Sequence, residues 1–165
     1  MPSSPHPIVI NPDHFLQTER GRVWTPERSR IAWQQSYDAL RTVISTPSDD
    51  LRSWTVIIVC GLQGAGKSTW ISKQPVRSGV VYFDAALPAA RHRAPIIEIA
   101  RSANAQVEIV WIKVPLSVAL ARNAQRNDDE QVSQASIQSV AELFENPTTA
   151  EGAAKVYVIE TSLTP

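Results

Sequence analysis

A glycine-rich stretch at residues 61–68 has the residue types and the spacing needed to hold the phosphates of a nucleotide. It reads Gly-Leu-Gln-Gly-Ala-Gly-Lys-Ser, which fits the pattern G-x-x-x-x-G-K-[ST]. Glycines let successive backbone N–H groups turn inward around phosphate oxygens, and the start of a following helix adds partial positive charge. We expect Lys67 to reach the β- and γ-phosphates and the Ser68 hydroxyl to ligate Mg²⁺. The residues predicted to bind the nucleotide here are Gly61, Gln63, Gly64, Ala65, Gly66, Lys67, Ser68 and Thr69.

Asp84 is the acidic residue best placed to work with this loop. It directly follows the apolar run 80–83, so its carboxylate is expected at the C-terminal edge of a sheet, where open α/β folds bind ligands. Two roles compete for it: ligation of Mg²⁺, or acceptance of the proton from an attacking hydroxyl. A third reading is a plain turn or helix-capping aspartate.

Two pairs of arginines offer positive charge near these groups. Arg91 and Arg93 follow Asp84 at the entry to the next predicted helix, and we interpret them as substrate contacts. Arg122 and Arg126 lie four residues apart, on one helical face. A planar guanidinium suits the charge that spreads over a migrating phosphoryl group. The alternative for each pair is a solvated helix face.

The elements that must position these residues alternate between strand and helix from Thr55 onward. Strands are predicted at 55–60, 80–83, 107–114 and 156–159, and helices at 67–73, 94–103, 116–126 and 131–144. The strand at 55–60 is apolar throughout, as expected when helices cover both faces of a sheet. This pattern predicts an α/β fold of three layers, with a small, mostly parallel sheet flanked by helices.

The N-terminal third has a different composition. Residues 1 to about 24 are rich in proline and polar groups, which predicts an irregular arm. Thr25-Pro26-Glu27 is a helix start, with threonine as the N-cap and proline at the first helical position. We therefore divide the chain into an arm and helix at 1–54, packed on the core, and a nucleotide-binding domain at 55–165.

Composition limits the classes of function. The 165 residues contain 16 Lys and Arg against 16 Asp and Glu, which counts against a protein that grips long nucleic acid. The single cysteine, Cys60, excludes an internal disulfide and a cysteine-cluster zinc site. No apolar run approaches 18 residues and the N-terminus lacks the features of a secretory signal, so we expect a cytoplasmic protein without a membrane contact.

Four segments resemble the polynucleotide-kinase-like P-loop kinases, a family of small AAA-type ATP-binding proteins. They are GLQGAGKSTW at 61–70, VVYFDAALPAARHRAPIIEIA at 80–100, LARNAQR at 120–126 and FENPTTAEG at 144–152. The resemblance implies a P-loop NTPase fold and transfer of the γ-phosphate of ATP, with Mg²⁺, to a hydroxyl group. It also implies that Arg126 is a lid arginine that touches the transferring phosphoryl group and that Arg122 lies beside the nucleotide.

The chain departs from that family between the loop and Asp84. Family members have two strand-ending acids in this region, the first being the general base, and a helical insert that helps to build the acceptor site. Only 14 residues separate Thr69 from Asp84, and they contain no such acid. Either Asp84 performs both tasks, or the acceptor chemistry is altered or lost. Residues 1–54 lie outside the resemblance, and their helix is a candidate for the missing substrate wall.

The leading hypothesis is an ATP-dependent kinase for a hydroxyl on a nucleic-acid end or a small molecule. From Asp84 to Arg126 there are six basic residues against three acidic ones, which favours a phosphorylated or short anionic ligand. A nucleotide-binding regulatory module without acceptor phosphorylation is the main alternative. A kinase for a sugar nucleotide, similar to zeta-type toxins, is a third. The sequence predicts no particular oligomeric state.

Overall fold

The central element is a sheet of five parallel strands. The computed structural model describes residues 6–47 and 53–160. In order across the sheet the strands are β1, β5, β4, β6 and β7, and every neighbouring pair is parallel. Their bounds are β1 Ile8–Ile10, β4 Thr55–Cys60, β5 Val80–Asp84, β6 Gln106–Lys113 and β7 Lys155–Glu160. A separate antiparallel pair consists of β2 Gln17–Thr18 and β3 Gly21–Arg22.

Helices cover both faces of the five-stranded sheet. Apolar side chains of α1 and α3 pack on one face, and those of α2, α4 and α5 pack on the other. The predicted three-layer α/β fold is thereby confirmed. The α-helices are α1 Pro26–Ser45, α2 Lys67–Ser72, α3 Ala90–Ser102, α4 Leu116–Ala124 and α5 Gln134–Leu143, with 3-10 helices at Pro12–Leu16 and Thr149–Glu151.

Strand β4 lies in the middle of the sheet and leads into the glycine-rich loop. Its residues Val56–Cys60 are each at most 3% exposed, because strands flank it on both edges and helices on both faces. This is the physical reason for its unbroken apolar sequence. The central position aims the loop at the middle of the sheet's C-terminal edge.

The N-terminal segment differs from its sequence prediction. Ile8–Ile10 was expected to be irregular, but it forms the edge strand β1, paired with β5 in a register that sets Ile10 opposite Phe83. Three residues are too few for a periodic signal, and the prolines on either side favour a loop. The N-terminal third therefore contributes a strand to the same sheet as residues 55–160.

Helix α1 confirms its predicted start and fixes the N-terminal segment to the sheet. The Thr25 side chain accepts a hydrogen bond from the Arg28 backbone N–H, as an N-cap does. On the buried side, the rings of Trp33 and Tyr37 stack on Phe83 at centroid distances of 6.0 and 6.4 Å. This aromatic cluster holds α1 over the β1–β5 edge.

Helix α3 begins at Ala90, four residues earlier than predicted. The prediction placed Pro95 in the first turn, where a missing N–H costs nothing. Instead, the His92 Nδ1 accepts from the Ala89 N–H at the helix start, and Pro95 lies inside the helix. In residues 6–47 and 53–160, no helix combines the length and the apolar character needed to cross a bilayer.

Candidate functional site

The glycine-rich loop forms the tight turn between β4 and α2 that its sequence predicts. Gly64 and Gly66 have φ angles of +83° and +98°, in the left-handed region that glycine adopts readily. A Cβ on Gly64 would lie 2.5 Å from the Ala119 carbonyl oxygen, so α4 packs directly on the loop backbone. Helix α2 then begins at Lys67, with its N-terminal N–H groups facing the loop.

Lys67 is folded back over this loop. Its Nζ donates to the carbonyl oxygens of Gly61 and Leu62, both at 3.0 Å. Burial lowers the pKa of the Lys67 ammonium from its usual range, and the nearby Asp84 carboxylate acts in the opposite direction. These two hydrogen bonds hold the Lys67 amino group beside the loop, where it can contact an anion bound there.

Ser68 and Asp84 meet where α2 starts and β5 ends. The Ser68 Oγ donates to the Asp84 Oδ2 at 2.6 Å, and Asp84 is 2% exposed. A hydroxyl and a carboxylate are the oxygen ligands that Mg²⁺ prefers beside nucleotide phosphates. The donor set at this point therefore fits the predicted metal.

The structure brings two further polar residues to this place, Asn11 and Asp13, which the sequence analysis did not identify. Strand β1 runs beside β5, so Asn11 and Asp13 follow it at the same edge of the sheet as Asp84. The Asn11 Nδ2 donates to the Asp84 Oδ2 at 3.4 Å, and Asp13 lines the same cavity. Neither residue has a local signal in the sequence, because the triplet Ile8–Ile10 becomes a strand only through its pairing with β5.

Strand β1 occupies the edge of the sheet beside β5, next to the region where the chain lacks the second acid of the P-loop kinases that it resembles. The strand position beyond β5 is filled by a segment that precedes the glycine-rich loop in the chain rather than following it. An acid from that segment, Asp13, lines the cavity, and its side chain is 50% exposed. Between the loop and Arg126, Asp84 remains the acid that ends a strand, and Asp13 is a further acid that the sequence analysis did not consider.

Arg122 and Arg126 approach the loop from α4 and from the turn that follows it. The Arg122 Nη1 donates to the Ala65 carbonyl oxygen at 3.0 Å, and the Arg126 Nε lies 3.9 Å from a carboxylate oxygen of Glu130. Both arginines line the cavity. The spacing of four residues thus places the two guanidinium groups on the same side of the site.

Arg93 is not available to a ligand. It is fully buried, and its guanidinium forms a two-point ion pair with Glu151 at 2.8 and 3.1 Å. Its remaining N–H groups donate to the carbonyl oxygens of Leu87, Pro88 and Glu145. All five donors are used, so the interpretation of Arg93 as a substrate contact is wrong. Its role is to tie the start of α3 to the segment before β7.

Arg91 lies on the exposed side of the same helix start and does not line the cavity. Two residues along an α-helix are about 200° apart around its axis, so Arg91 and Arg93 lie on nearly opposite sides of α3. The structure therefore brings neither residue of this pair to the loop.

The loop, the two carboxylates and the two arginines surround one cavity of about 450 Å³. Within the described residues, the Gln63 Oε1 on this wall is buried without a hydrogen-bond partner, an arrangement that proteins normally avoid unless a ligand or water supplies the donor. Gly61 and Ala65 lie in the loop but do not line the cavity. The predicted residues that do line it are Gln63, Gly64, Gly66, Lys67, Ser68, Thr69, Asp84, Arg122 and Arg126.

Part of the chain matches a known protein family. The sequence profile of an AAA domain family matches residues 77–147. This stretch contains Asp84, Arg122 and Arg126, and it begins after the glycine-rich loop. No curated protein matches the chain. The chain is thus similar to an AAA domain over that stretch, and it has the α/β fold of P-loop nucleotide-binding proteins.

Proposed function

We propose that this chain is an ATP-dependent phosphotransferase that moves the γ-phosphate of ATP onto a hydroxyl group. The observation that carries the proposal is the second carboxylate: Asp13 lines the cavity that also contains Lys67 and the Ser68–Asp84 pair. A protein that only binds a nucleotide needs the loop and the metal-binding oxygens. Transfer to an alcohol needs, in addition, a group that takes the hydroxyl proton.

The nucleotide phosphates are assigned to the loop. Its backbone N–H groups and the N-terminus of α2 face the phosphates, and the Lys67 ammonium exchanges its two carbonyl partners for phosphate oxygens. Ser68 and Asp84 would hold Mg²⁺, which supplies charge neutralisation on the phosphates when bound. Arg122, held at the Ala65 carbonyl, lies beside the nucleotide.

The two carboxylates take different roles because their surroundings differ. Asp84 is buried and accepts hydrogen bonds from Ser68 and Asn11, which supports a role as a ligand of Mg²⁺. Asp13 is half exposed on the cavity wall and is oriented by Arg22, whose Nη1 lies 3.4 Å from the Asp13 Oδ2. Asp13 is therefore the group assigned as the general base.

In the proposed reaction the acceptor hydroxyl gives its proton to Asp13. Its oxygen forms a bond to the γ-phosphorus, the bond from that phosphorus to the bridging β,γ-oxygen breaks, and ADP leaves with the electron pair. Lys67 and Arg126 stabilise the negative charge that spreads over the phosphoryl oxygens during transfer. Each of these groups lines the same cavity.

The regulatory alternative, in which the chain binds a nucleotide without phosphorylating an acceptor, is favoured in the sequence by the missing helical insert that would help to build an acceptor site. Asp13 and the first turns of α1 line the cavity, which supports a role for this segment as the acceptor side of the site. We therefore favour phosphotransfer over the regulatory alternative.

The test is transfer of label from γ-labelled ATP, with Mg²⁺, to a panel of hydroxyl compounds. The panel contains nucleosides, a 5′-hydroxyl oligonucleotide, a sugar nucleotide and glycerol. We expect label on at least one acceptor, lost in Asp13→Asn and Lys67→Ala and kept in Asp38→Asn, which changes an exposed acid of α1. ATP binding without any labelled acceptor would contradict the proposal and favour the regulatory alternative.

A further inference from the structure

The cavity has a second half, built by the N-terminal segment, that differs in chemistry from the phosphate half. We propose that this half is the acceptor subsite and that it takes an uncharged hydroxyl compound carrying a planar or apolar ring. The inference rests on the proposed phosphotransfer and names its acceptor class. The residues that form this half include Pro12, Asp13, Leu16, Trp24, Ala32 and Trp33.

Trp33 gives this half a rigid aromatic wall. Its ring stacks on Phe83 of the sheet, with an interplanar angle of 27°, and remains only partly buried. Ala32, next to it on α1, is 1% exposed and also lines the cavity. Aromatic and apolar side chains of this kind commonly line pockets that bind small molecules.

Trp24 is a second aromatic residue of this half and lies just before Thr25, the N-cap of α1. Its side chain is 63% exposed although it lines the cavity. Burial of an indole is favourable, so an acceptor in this half of the cavity would gain free energy by covering Trp24.

The charges that line this half of the cavity disfavour an acceptor that carries a phosphate group. The three cations that line the cavity, Lys67, Arg122 and Arg126, all come from the loop and from the α4 region. Among the lining residues of the N-terminal half the ionisable group is Asp13, which is an acid, and Arg22 is paired with it without lining the cavity. A phosphate placed there would face a carboxylate.

The basic surplus between Asp84 and Arg126 does not alter this argument. Arg93 is buried in its ion pair, and Arg91, Arg101 and Lys113 do not line the cavity. The cations that line the cavity are thus Lys67, Arg122 and Arg126, and the proposed reaction assigns all three to the phosphates of ATP.

The experiment compares matched compounds that share a ring and a free 5′-hydroxyl. Thymidine and adenosine are titrated by calorimetry against their 3′-monophosphates, with the protein held in Mg²⁺ and a non-hydrolysable ATP analogue. The variants are Trp24→Ala and Trp24→Phe, and the control is Val23→Ala, an exposed neighbour that does not line the cavity. Label transfer from ATP to the same compounds is measured in parallel.

We expect at least one nucleoside to bind more tightly than its 3′-monophosphate. Its dissociation constant should rise about tenfold or more in Trp24→Ala, stay near the wild-type value in Trp24→Phe, and be unchanged in Val23→Ala. Equal or tighter binding of the monophosphates, binding that ignores Trp24→Ala, or no binding of either nucleoside would overturn the inference.

The two proposals fail separately. Nucleoside binding that depends on Trp24, without label transfer, leaves the subsite standing and contradicts phosphotransfer. Label transfer that prefers the monophosphates, or an oligonucleotide end, leaves phosphotransfer standing and overturns the uncharged acceptor class.

Discussion

Asn11 and Asp84 are 73 residues apart in the chain, yet the Asn11 Nδ2 donates to the Asp84 Oδ2 at 3.4 Å. The contact exists because β1 and β5 are parallel neighbours, so the residues that follow them emerge at the same edge of the sheet. This relationship places the Asn-Pro-Asp segment next to the glycine-rich loop. It also assigns the N-terminal segment a direct part in the site.

The first prediction concerns Asp13 as the general base. In Asp13→Asn we expect Mg·ATP to bind as in the wild type, because the proposal assigns Asp13 to the acceptor and not to the nucleotide. We expect kcat for acceptor phosphorylation to fall about 10²–10⁴-fold, the usual contribution of a positioned base. Steady-state kinetics and calorimetry on the same preparation measure both. An unchanged kcat would remove Asp13 from the mechanism.

The second prediction separates Asp84 from Asp13. In Asp84→Asn we expect the Kd for ATP in the presence of Mg²⁺ to rise about 10–100-fold, as happens when a group around a metal is lost. ATP binding in EDTA should change little, because the loop and Lys67 remain. Calorimetric titrations with and without Mg²⁺ test this. A variant with normal Mg²⁺ dependence and lost turnover would instead make Asp84 the base.

The third prediction concerns the buried Arg93–Glu151 ion pair. Arg93→Ala leaves the Glu151 carboxylate, which is 12% exposed, without its partner. Loss of one member of a buried pair costs about 3–5 kcal/mol, and we expect that decrease in the free energy of unfolding in urea. Arg91→Ala, two residues away and exposed, is the control and should change it by less than about 0.5 kcal/mol. Equal stability of the two variants would show that the pair contributes nothing.

The fourth prediction concerns Cys60, which ends β4 directly before the loop. The residue is fully buried, and burial raises the pKa of its thiol to about 12. Because the thiolate is the reactive form, a thiol reagent at pH 8 should leave the folded protein unlabelled. The same reagent should label one thiol per chain in denaturant. Rapid labelling of the folded protein would identify Cys60 as a reactive thiol beside the loop.

Much of the fold could be predicted because the apolar pattern of residues 55–160 and the turn residues between its segments indicate the same elements. The unbroken apolar run of β4, the loop after it and the alternation that follows all report the same parallel sheet. The N-cap of α1 was also predictable, because Thr25-Pro26 carries its own local signal. Strand β1 was not predictable, because three residues gain their strand identity from pairing with β5 and not from their own pattern.

The site could be predicted in part for the same reason. Lys67, Ser68, Asp84, Arg122 and Arg126 reach one cavity because local spacing fixes where each leaves its element. Asp13 depends on a pairing between distant segments, and Arg93 depends on the carbonyl groups that happen to surround it. Tertiary contacts of this kind leave no local signal in a single sequence.

The most direct test of the central claim is a calorimetric titration of the protein with a non-hydrolysable ATP analogue in Mg²⁺. We expect saturable binding at one site per chain. Lys67→Ala should weaken it by about 1.5–3 kcal/mol, the range for hydrogen bonds to a charged group. Lys73→Ala, an exposed lysine at the end of α2, should bind as the wild type does. Absence of binding heat, or equal affinities for both lysine variants, would contradict the assignment of the loop as the triphosphate site.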